Sequence, residues 1–396
     1  MKLKVPDYYS RFKCIDKDCT DSCCAGWEVD VDEESYRYYE TVTGEFGDRL
    51  HSVMSRDGGC HFILKPNKDC PFLNKTGLCD LFTELGEDKL CETCAMYPRF
   101  VEEYGSVREM GIAFSCKTAA ELILTYEGKA GFVTSEDGKP LSSYNDINPQ
   151  LYFALCEART TAYALVQNRT YSVKERIALL LDYADKLQHS MNGHRYSNMM
   201  EHNKRYSVAD ADKYADMRSE ELDKACRRLK RKYHTEEKSQ ERYRHMQKLL
   251  EIFDGLEMVK DAFPKFIEND RKTFNNMSEY TQTCREFDAY YEDREYEFEH
   301  IMVYYIFRYF LKAVYDEDLL GKVKLGVVGY IMVREMDVAW WAQNKKMLTL
   351  RDQIEITHLY SREVEHSDEN FAILEEMYGT HEVFSVDNLM TAVLAD

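Results

Sequence analysis

The chain has 396 residues, 44% of them hydrophobic and 13% aromatic, so it can bury a sizeable core and is not disordered as a whole. Its formal net charge of −19 argues against general nucleic-acid binding, because a phosphate backbone requires a cationic footprint. Only seven prolines and eighteen glycines interrupt the chain, which favours long regular elements over a turn-rich β architecture.

The chain shows no sign of secretion or of membrane insertion. Its first residues, MKLKVPDYYSRFK, lack the apolar core of a signal peptide. The most apolar runs, at 301–315 and 325–333, fall short of the roughly 20 residues that cross a bilayer. We therefore expect a soluble cytoplasmic protein with no membrane partner. In that compartment thiols stay reduced, so a cysteine pattern indicates metal binding or catalysis rather than disulfides.

The first part of the chain is rich in cysteine and in turns. Ten of the thirteen cysteines fall within residues 1–116. The pattern predicts helices over 32–41, with Asp32 as the cap, and over 46–54. Two short helices separated by Gly86 follow, then a strand over 107–114 and a helix that begins near Cys116. Residues 1–126 are thus predicted to form a loop-rich, cysteine-rich module that binds a metal or a cluster.

A polar, turn-rich stretch at 127–148 predicts a surface hairpin and a domain boundary. Beyond it the pattern is almost wholly helical, starting with Pro149 after Asn148 and with a capping box at Ser172 and Glu175. Further helices are expected near 208–233, 236–261, 278–292, 295–315, 321–343 and 349–364. The predicted fold class is therefore mainly α, with a helical domain of about eight helices over 149–396.

A Rossmann-type nucleotide-binding core is not expected. No strand is followed by a G-x-G-x-x-G turn and a helix, and the GVVG sequence at 326–329 lies inside a helical pattern. One segment, Lys224 to Lys248, carries ten Lys and Arg against three Glu, contrary to the acidic balance of the chain. It indicates either a solvated helix face or a docking surface for an acidic partner.

The cysteine spacing leaves two metal chemistries open, tetrahedral zinc and iron–sulfur clusters. Cys91 and Cys94 form the C-x₂-C pair typical of a zinc knuckle. The stretch CIDKDCTDSCC ends in the adjacent Cys23 and Cys24, whose side chains diverge, so both are not expected to bind one zinc ion. The radical-enzyme signature C-x₃-C-x₂-C is excluded, because its third ligand would fall at Gly26.

Three motifs together carry a family resemblance: CIDKDCTDSCCAGWEVDVD, CPFLNKTGLCDLFTELGEDKLCETCAMYPRF and GIAFSCKTAAELIL. In this order they resemble the flagellin lysine-N-methylase family, part of a wider set of iron- or zinc-chelating proteins with a clustered CC motif. The resemblance covers about residues 7–125 and continues weakly at FEHIMVYYIFRYFLKAVYDED. It implies methylation of flagellin lysines, with S-adenosylmethionine as the donor and a [4Fe–4S] cluster as the cofactor.

Carried over by position, the candidate metal ligands are Cys14, Cys19, Cys23, Cys24, Cys70, Cys79, Cys91, Cys94 and Cys116. Four of them suffice for one cubane, and the ranking favours Cys19, Cys23, Cys79 and Cys94. Lys117 departs from the family, which commonly has proline there, so the role of Cys116 could differ. Cys60 lies outside the motifs and is interpreted as structural.

Three further residues are candidates for the methyl-transfer site. Tyr97 is predicted to orient the lysine amine and Arg99 to pair with the donor carboxylate, the alternatives being a packed aromatic and a structural ion pair. Trp27 is a candidate to cover the cluster or to stack on adenine, with packing as the alternative. The competing function is a non-enzymatic zinc or iron–sulfur sensor or adaptor built on a helical interaction scaffold.

Overall fold

Four short strands near the N-terminus form one mixed sheet, and helices make up most of the remaining structure. The computed structural model describes residues 1–15, 19, 21, 29–138, 147–206, 219–257, 262–274 and 276–395. Within these ranges the fold is mainly helical and contains no Rossmann-type sheet, as the sequence predicts.

The strands are β1 (Lys2–Pro6), β2 (Met54–Ser55), β3 (His61–Phe62), β4 (Arg99–Tyr104), β5 (Val107–Ile112) and β6 (Phe132–Glu136). The four-stranded sheet has the order β4-β5-β1-β6, with β1 parallel to β5 and antiparallel to β6. The predicted strand at 107–114 is β5. The polar stretch at 127–148 supplies β6, which pairs with the first strand of the chain, while 139–146 lies outside the described residues.

The helices of the N-terminal region are α1 (Glu33–Glu40), α2 (Gly44–Ser52), α3 (Asp80–Leu85), α4 (Glu92–Met96) and α5 (Lys117–Leu124). Asp32 caps α1 as predicted, because its Oδ1 accepts a hydrogen bond from the Ser35 amide at 2.9 Å. Gly86 follows α3 and has φ +91°, a backbone conformation that residues other than glycine rarely adopt. This confirms the predicted turn at Gly86.

The remaining helices are α6 (Pro149–Val166), α7 (Val173–Met191), α8 (Tyr196–Tyr206), α9 (Glu220–Tyr233), α10 (Glu236–Asp254), α11 (Ala262–Thr273), α12 (Met277–Tyr291), α13 (Glu295–Tyr309), α14 (Ala313–Asp316), α15 (Leu319–Gln343), α16 (Leu350–Glu365), α17 (Asp368–Thr380) and α18 (Val386–Leu394). Asn148 caps α6, and Ser172 with Glu175 forms the predicted capping box of α7. Thirteen helices thus occupy the described part of 149–396, where the sequence predicted about eight.

The GVVG sequence lies within the buried helix α15, where its glycines serve packing. A Cβ atom on Gly326 would come within 2.9 Å of the Cβ of Tyr305. A Cβ on Gly329 would come within 2.8 Å of the Tyr305 ring. The two glycines therefore allow α13 and α15 to approach closely, with the ring of Tyr305 against the α15 backbone.

Two hydrophobic cores organise the chain. The smaller core lies within 29–94 and contains Tyr39, Phe62 and Phe72. The larger core unites the helices after 149 with the sheet and α5. A buried ion pair joins the sheet to α6, since Nη1 and Nη2 of Arg159 donate to the two carboxylate oxygens of Glu109 at 2.6 and 2.5 Å. The sheet and α5 are thus packed as part of the helical body.

None of the helices in the described ranges combines the length and the apolar character that a membrane crossing requires.

Candidate functional site

The described cysteines among the predicted ligands fall into two groups whose thiols interact electrostatically within each group. The module cysteines, in or against the smaller core, are Cys70, Cys79, Cys91 and Cys94. The junction cysteines, where the N-terminal segment meets the start of α5, are Cys14, Cys19 and Cys116. Three other predicted site residues, Cys23, Cys24 and Trp27, lie outside the described residues.

The thiols of two module cysteines, Cys91 and Cys94, interact at the start of α4. The pKa of Cys91 is lowered because it accepts a hydrogen bond from the Cys94 thiol, and the backbone N–H of Cys94 contributes against the effect of burial. The pKa of Cys94 is raised, first because its thiol is the donor in this bond and then by burial. The nearby thiols of Cys70 and Cys79 raise it further. Cysteine binds a metal as the thiolate, so a metal ion that binds here would displace the protons of these thiols.

Arg49 holds the loop that carries Cys70 and Cys79. Its guanidinium donates to the Asp80 carboxylate and to the carbonyl of Pro71, both at 2.6 Å. It also lies 5.4 Å above the ring of Phe72, within the range of a cation–π interaction. The positions of these two cysteines are thus maintained by contacts within the small core.

The donor type of the module cysteines fits a thiolate-bound metal or cluster. Four sulfurs in one buried cluster suit both zinc and iron–sulfur centres. As placed in the described part of the chain, no group of three or more His, Cys, Asp or Glu side chains has the geometry to hold a metal ion. The fit is therefore one of donor chemistry and location, and it does not distinguish zinc from iron.

Among the junction cysteines, Cys116 is the residue immediately before α5. Burial raises the pKa of its thiol to about 11, and the thiols of Cys19 and Cys14 contribute in the same direction. The backbone N–H groups of Thr118 and Ala119 oppose this shift, because they donate to the sulfur. Cys116 thus behaves as a protonated thiol unless a cation replaces its proton.

Two side chains of helix α16 bind Asp21, which is two residues after Cys19. Oδ2 of Asp21 lies 2.6 Å from Nε2 of His358 and accepts a hydrogen bond from Nη1 of Arg362 at 2.9 Å. The other ring nitrogen of His358 lies 3.3 Å from the carbonyl oxygen of Phe114. We refer to Asp21, His358 and Arg362 as the Asp21 clamp.

Sequence analysis missed the clamp, although a signal for it exists. His358 and Arg362 are four residues apart on the predicted helix over 349–364, so they share one face. Both are almost fully buried, at 0% and 3% exposure, where charged groups require partners. Asp21 stands between Cys19 and Cys23, but its pairing with a residue more than 300 positions away cannot be read from spacing.

Tyr97 reaches the same region from the end of α4. Its hydroxyl donates to the carbonyl of Ser115 at 2.8 Å and lies 3.3 Å from the Ser115 hydroxyl, next to Cys116. Its ring packs edge-on against His366, with 5.7 Å between the ring centroids. Tyr97 therefore links the junction cysteines to the end of α16.

Arg99 occupies the first position of β4 and packs on aromatic rings. Its guanidinium lies 5.2 Å above the ring of Phe12. It also hydrogen-bonds the Tyr9 side chain and opposes the rise in the pKa of Tyr9 that burial causes. Arg99 is half-buried, and a guanidinium stacked in this way keeps edge N–H groups that can bind an anion.

A buried polar cluster lies at the end of α16, and we call it the Glu365 network. Oε2 of Glu365 accepts hydrogen bonds at 2.7 to 2.8 Å from two tyrosine hydroxyls and one guanidinium of α13, those of Tyr304, Tyr309 and Arg308. Oε1 accepts from Ser361 at 2.6 Å and from Tyr305 at 3.4 Å. The α13 residues belong to the FEHIMVYYIFRYFLKAVYDED stretch, so this part of the resemblance coincides with a charge-assisted network.

His366, the residue after α16, lies between this network and Tyr97. Burial lowers its pKa to about 3, and the positive charges of Arg308 and Arg362 contribute, with His358 in the same direction. At neutral pH its imidazole is therefore uncharged. An uncharged imidazole has one acceptor nitrogen and one donor N–H, so it can orient a ligand without adding charge.

The basic segment from Lys224 to Lys248 is partly neutralised by acidic groups of the chain. Five of its cations form ion pairs with acidic side chains, namely Lys224, Arg228, Lys230, Lys232 and Lys238. Arg242 is buried and donates to the carbonyl of Ala395 at 2.7 Å. Half of the ten cations in the segment are thus paired within the chain, and both interpretations, a solvated helix face and a docking surface, stay predictions.

The chain is similar in sequence to known lysine methylases. It is 26% identical over 126 residues to a lysine-N-methylase of Salmonella typhimurium, a match that covers 30% of this chain and 31% of that protein. It is 25% identical over 126 residues to the flagellar biosynthetic protein FliU of Salmonella muenchen, covering 30% of this chain and 75% of FliU. A lysine-N-methylase of Salmonella choleraesuis is 25% identical over 127 residues, with 30% and 31% covered.

The chain thus spans about a third of the length of the two lysine-N-methylases that it matches. No solved structure is significantly similar to it. The family model of the FliB lysine N-methylase C-terminal domain matches residues 159–392, which include α13, α16, the Glu365 network and two members of the Asp21 clamp. This match covers more than half of the chain, and the chain therefore belongs to the FliB lysine N-methylase family.

Proposed function

We propose that this chain is a protein-lysine N-methyltransferase that modifies flagellin in the cytoplasm, with S-adenosylmethionine as the methyl donor and a [4Fe–4S] cluster as the cofactor. The observation that carries the proposal is the family match over 159–392, because the matched domain supplies α16 to the junction cysteines. The names of the similar proteins, lysine-N-methylase and flagellar biosynthetic protein, support the same activity and substrate.

We place the proposed cluster at the junction cysteines. Cys116 follows Ser115, to which Tyr97 donates a hydrogen bond, and Asp21, two residues after Cys19, is bound by α16. The module cysteines, in contrast, have a small core of their own. Together with Cys19 and Cys116, either Cys23 or Cys24, which are close in sequence to Asp21, would give three thiolates, and one of the four irons would then have no cysteine ligand. When bound, such a cluster supplies a Lewis-acidic iron that can hold the amino and carboxylate groups of an amino-acid donor. In this proposal the module cysteines bind a structural metal.

The residues around this position could prepare a lysine amine for attack. Methyl transfer requires an uncharged amine in line with the methyl group. The Tyr97 hydroxyl donates its proton to Ser115, so its oxygen lone pairs face an approaching N–H as acceptors. His366 has too low a pKa to take a proton from a lysine ammonium. The amine would therefore lose its proton because burial in this apolar, partly cationic region lowers its pKa.

Two roles remain proposals from the sequence. Arg99 would pair with the carboxylate of the donor, through the edge of a guanidinium already held by Phe12. Trp27 would cover the cluster or stack on the adenine of the donor.

The test is methyl transfer from donor labelled in its methyl group to purified flagellin, using the full chain prepared without oxygen. We expect methyl-lysine on flagellin by mass spectrometry, and no label on flagellin whose lysines were acetylated beforehand. The absence of transfer by a preparation that contains iron, sulfide and the visible absorbance of an iron–sulfur centre would refute the enzyme. Methyl transfer by a preparation that contains zinc and no iron would refute the proposed iron–sulfur cofactor but would support the proposed methyltransferase activity.

A further inference from the structure

We propose that His358 and Arg362 of α16 are positioning residues, which hold the segment of Cys19 and Asp21 beside Cys116. Its relevance to catalysis rests on the proposed function, because it explains how α16 of the family domain brings Cys19 close to Cys116. It assigns a task to two side chains of α16 that are almost fully buried.

The imidazole of His358 contacts both chain segments that carry junction cysteines, one through Asp21 and the other through Phe114. Nε2 of His358 lies 2.6 Å from the Asp21 carboxylate, and Asp21 is two residues after Cys19. Nδ1 lies 3.3 Å from the carbonyl oxygen of Phe114, which is two residues before Cys116. Two residues of chain span at most about 7 Å. Fixing Asp21 and Phe114 on the same ring therefore limits the separation between Cys19 and Cys116.

Arg362 strengthens this hold. It donates to the same Asp21 oxygen at 2.9 Å from one turn further along α16, so the carboxylate is bound from two directions. Asp21 retains only 15% exposure of its side chain, so water screens these contacts little. Hydrogen bonds between charged groups in such surroundings are stronger and more directional than those between neutral groups.

Helix α16 is a rigid base for the clamp. A capping box of Thr349 and Asp352 closes its N-terminus. An ion pair between Lys117 and Glu355, at 2.6 Å, joins it to α5 directly after Cys116. This ion pair joins α16 to α5 rather than to Asp21, so it offers a matched control.

The experiment measures how quickly each cysteine is alkylated in the full chain, with His358→Gln and Arg362→Met as test variants and Glu355→Gln as the control. Peptide mass spectrometry resolves the rates of Cys19 and of Cys91, a module cysteine. We expect Cys19 to react about tenfold faster in both test variants, because losing a charge-assisted hydrogen bond favours local opening of its segment. Cys91 should react as in the unchanged protein, and the control should alter neither rate.

Iron content after reconstitution is the second readout, and it should fall in the test variants but not in the control. Unchanged alkylation of Cys19 in folded test variants would overturn the proposal. Equal acceleration of Cys19 and Cys91 would also overturn it, because that result indicates general loosening.

If neither test variant folds, Asp21→Asn replaces them, since it keeps the size of the side chain and removes its charge. We expect a smaller acceleration limited to Cys19, and an unchanged rate would contradict the clamp. Alkylation requires neither flagellin nor donor, so this result stands apart from any failure of the methyl-transfer assay.

Discussion

The Glu365 network offers a quantitative test, because one carboxylate of α16 accepts four hydrogen bonds from α13 and a fifth from Ser361 of its own helix. The change Glu365→Gln keeps the size of the side chain and its position at the end of α16. It removes the negative charge that faces Arg308, whose side chain is only 15% exposed. The amide oxygen can still accept from Tyr304 and Tyr309, while the Ser361 hydroxyl can rotate to accept from the amide nitrogen.

The expected loss of unfolding free energy comes from the three hydrogen bonds at Oε2. At Oε1 the short bond is that of Ser361, which the amide of glutamine can replace. A hydrogen bond to a charged group contributes about 1 kcal/mol more than a neutral one, so three bonds amount to about 3 kcal/mol of unfolding free energy. The comparison Tyr309→Phe removes one of these bonds at 2.7 Å and should cost about 2 kcal/mol. The control Glu286→Gln breaks an exposed ion pair with Lys346 and should leave stability unchanged.

The measurement is urea unfolding followed by circular dichroism, with free energies compared at the midpoint of the unchanged protein. We expect the order of stability to be unchanged protein and control first, then Tyr309→Phe, then Glu365→Gln. A Glu365→Gln protein within about 1 kcal/mol of the unchanged protein would refute the reasoning, because it would show that Arg308 finds other compensation. A larger loss for Tyr309→Phe than for Glu365→Gln would do the same.

Three further outcomes are expected. Burial raises the pKa of the fully buried Asp337 well above its ordinary value, so the folded chain binds a proton that the unfolded chain releases above about pH 4. Stability should fall as pH rises from there toward the raised pKa, and Asp337→Asn should flatten this dependence in urea unfolding from acid to neutral pH; an unaltered slope would contradict it. Cys91→Ser should lower bound metal per chain by elemental analysis, whereas Cys60→Ser, at a cysteine outside the module group, should not; equal losses would count against the grouping. Tyr97→Phe should slow methyl transfer by about tenfold or more at unchanged metal content, as expected when an orienting group is lost, and a rate equal to that of the unchanged protein would remove Tyr97 from the proposed site.

Features set by neighbouring residues could be predicted from the sequence. The helix start at Pro149 and the capping box at Ser172 are confirmed, because each depends on atoms within one helical turn. The turn at Gly86 and the strand at 107–114 are confirmed for the same reason.

Features that depend on distant residues were not predicted. The helices α17 and α18 were missed as well, although each has a local signal, since they begin at the capping serines Ser367 and Ser385. The pairing of β6 with β1 joins segments about 130 residues apart. The family resemblance implied nine candidate ligands but could not divide them into groups, because the proximity of Cys116 to Cys19 arises from tertiary packing.

The two glycines of α15 show how protein engineering could go wrong in this chain. Replacing a glycine within a helix by alanine ordinarily raises stability by about 1 kcal/mol, so a design based on helix propensity would select Gly326 and Gly329 for substitution. Here an added methyl group would press on Tyr305, whose hydroxyl reaches Glu365 on a third helix. The backbone of α15 at these two glycines thus forms the surface on which an aromatic ring packs. Stabilising substitutions should therefore be sought at exposed positions of other helices.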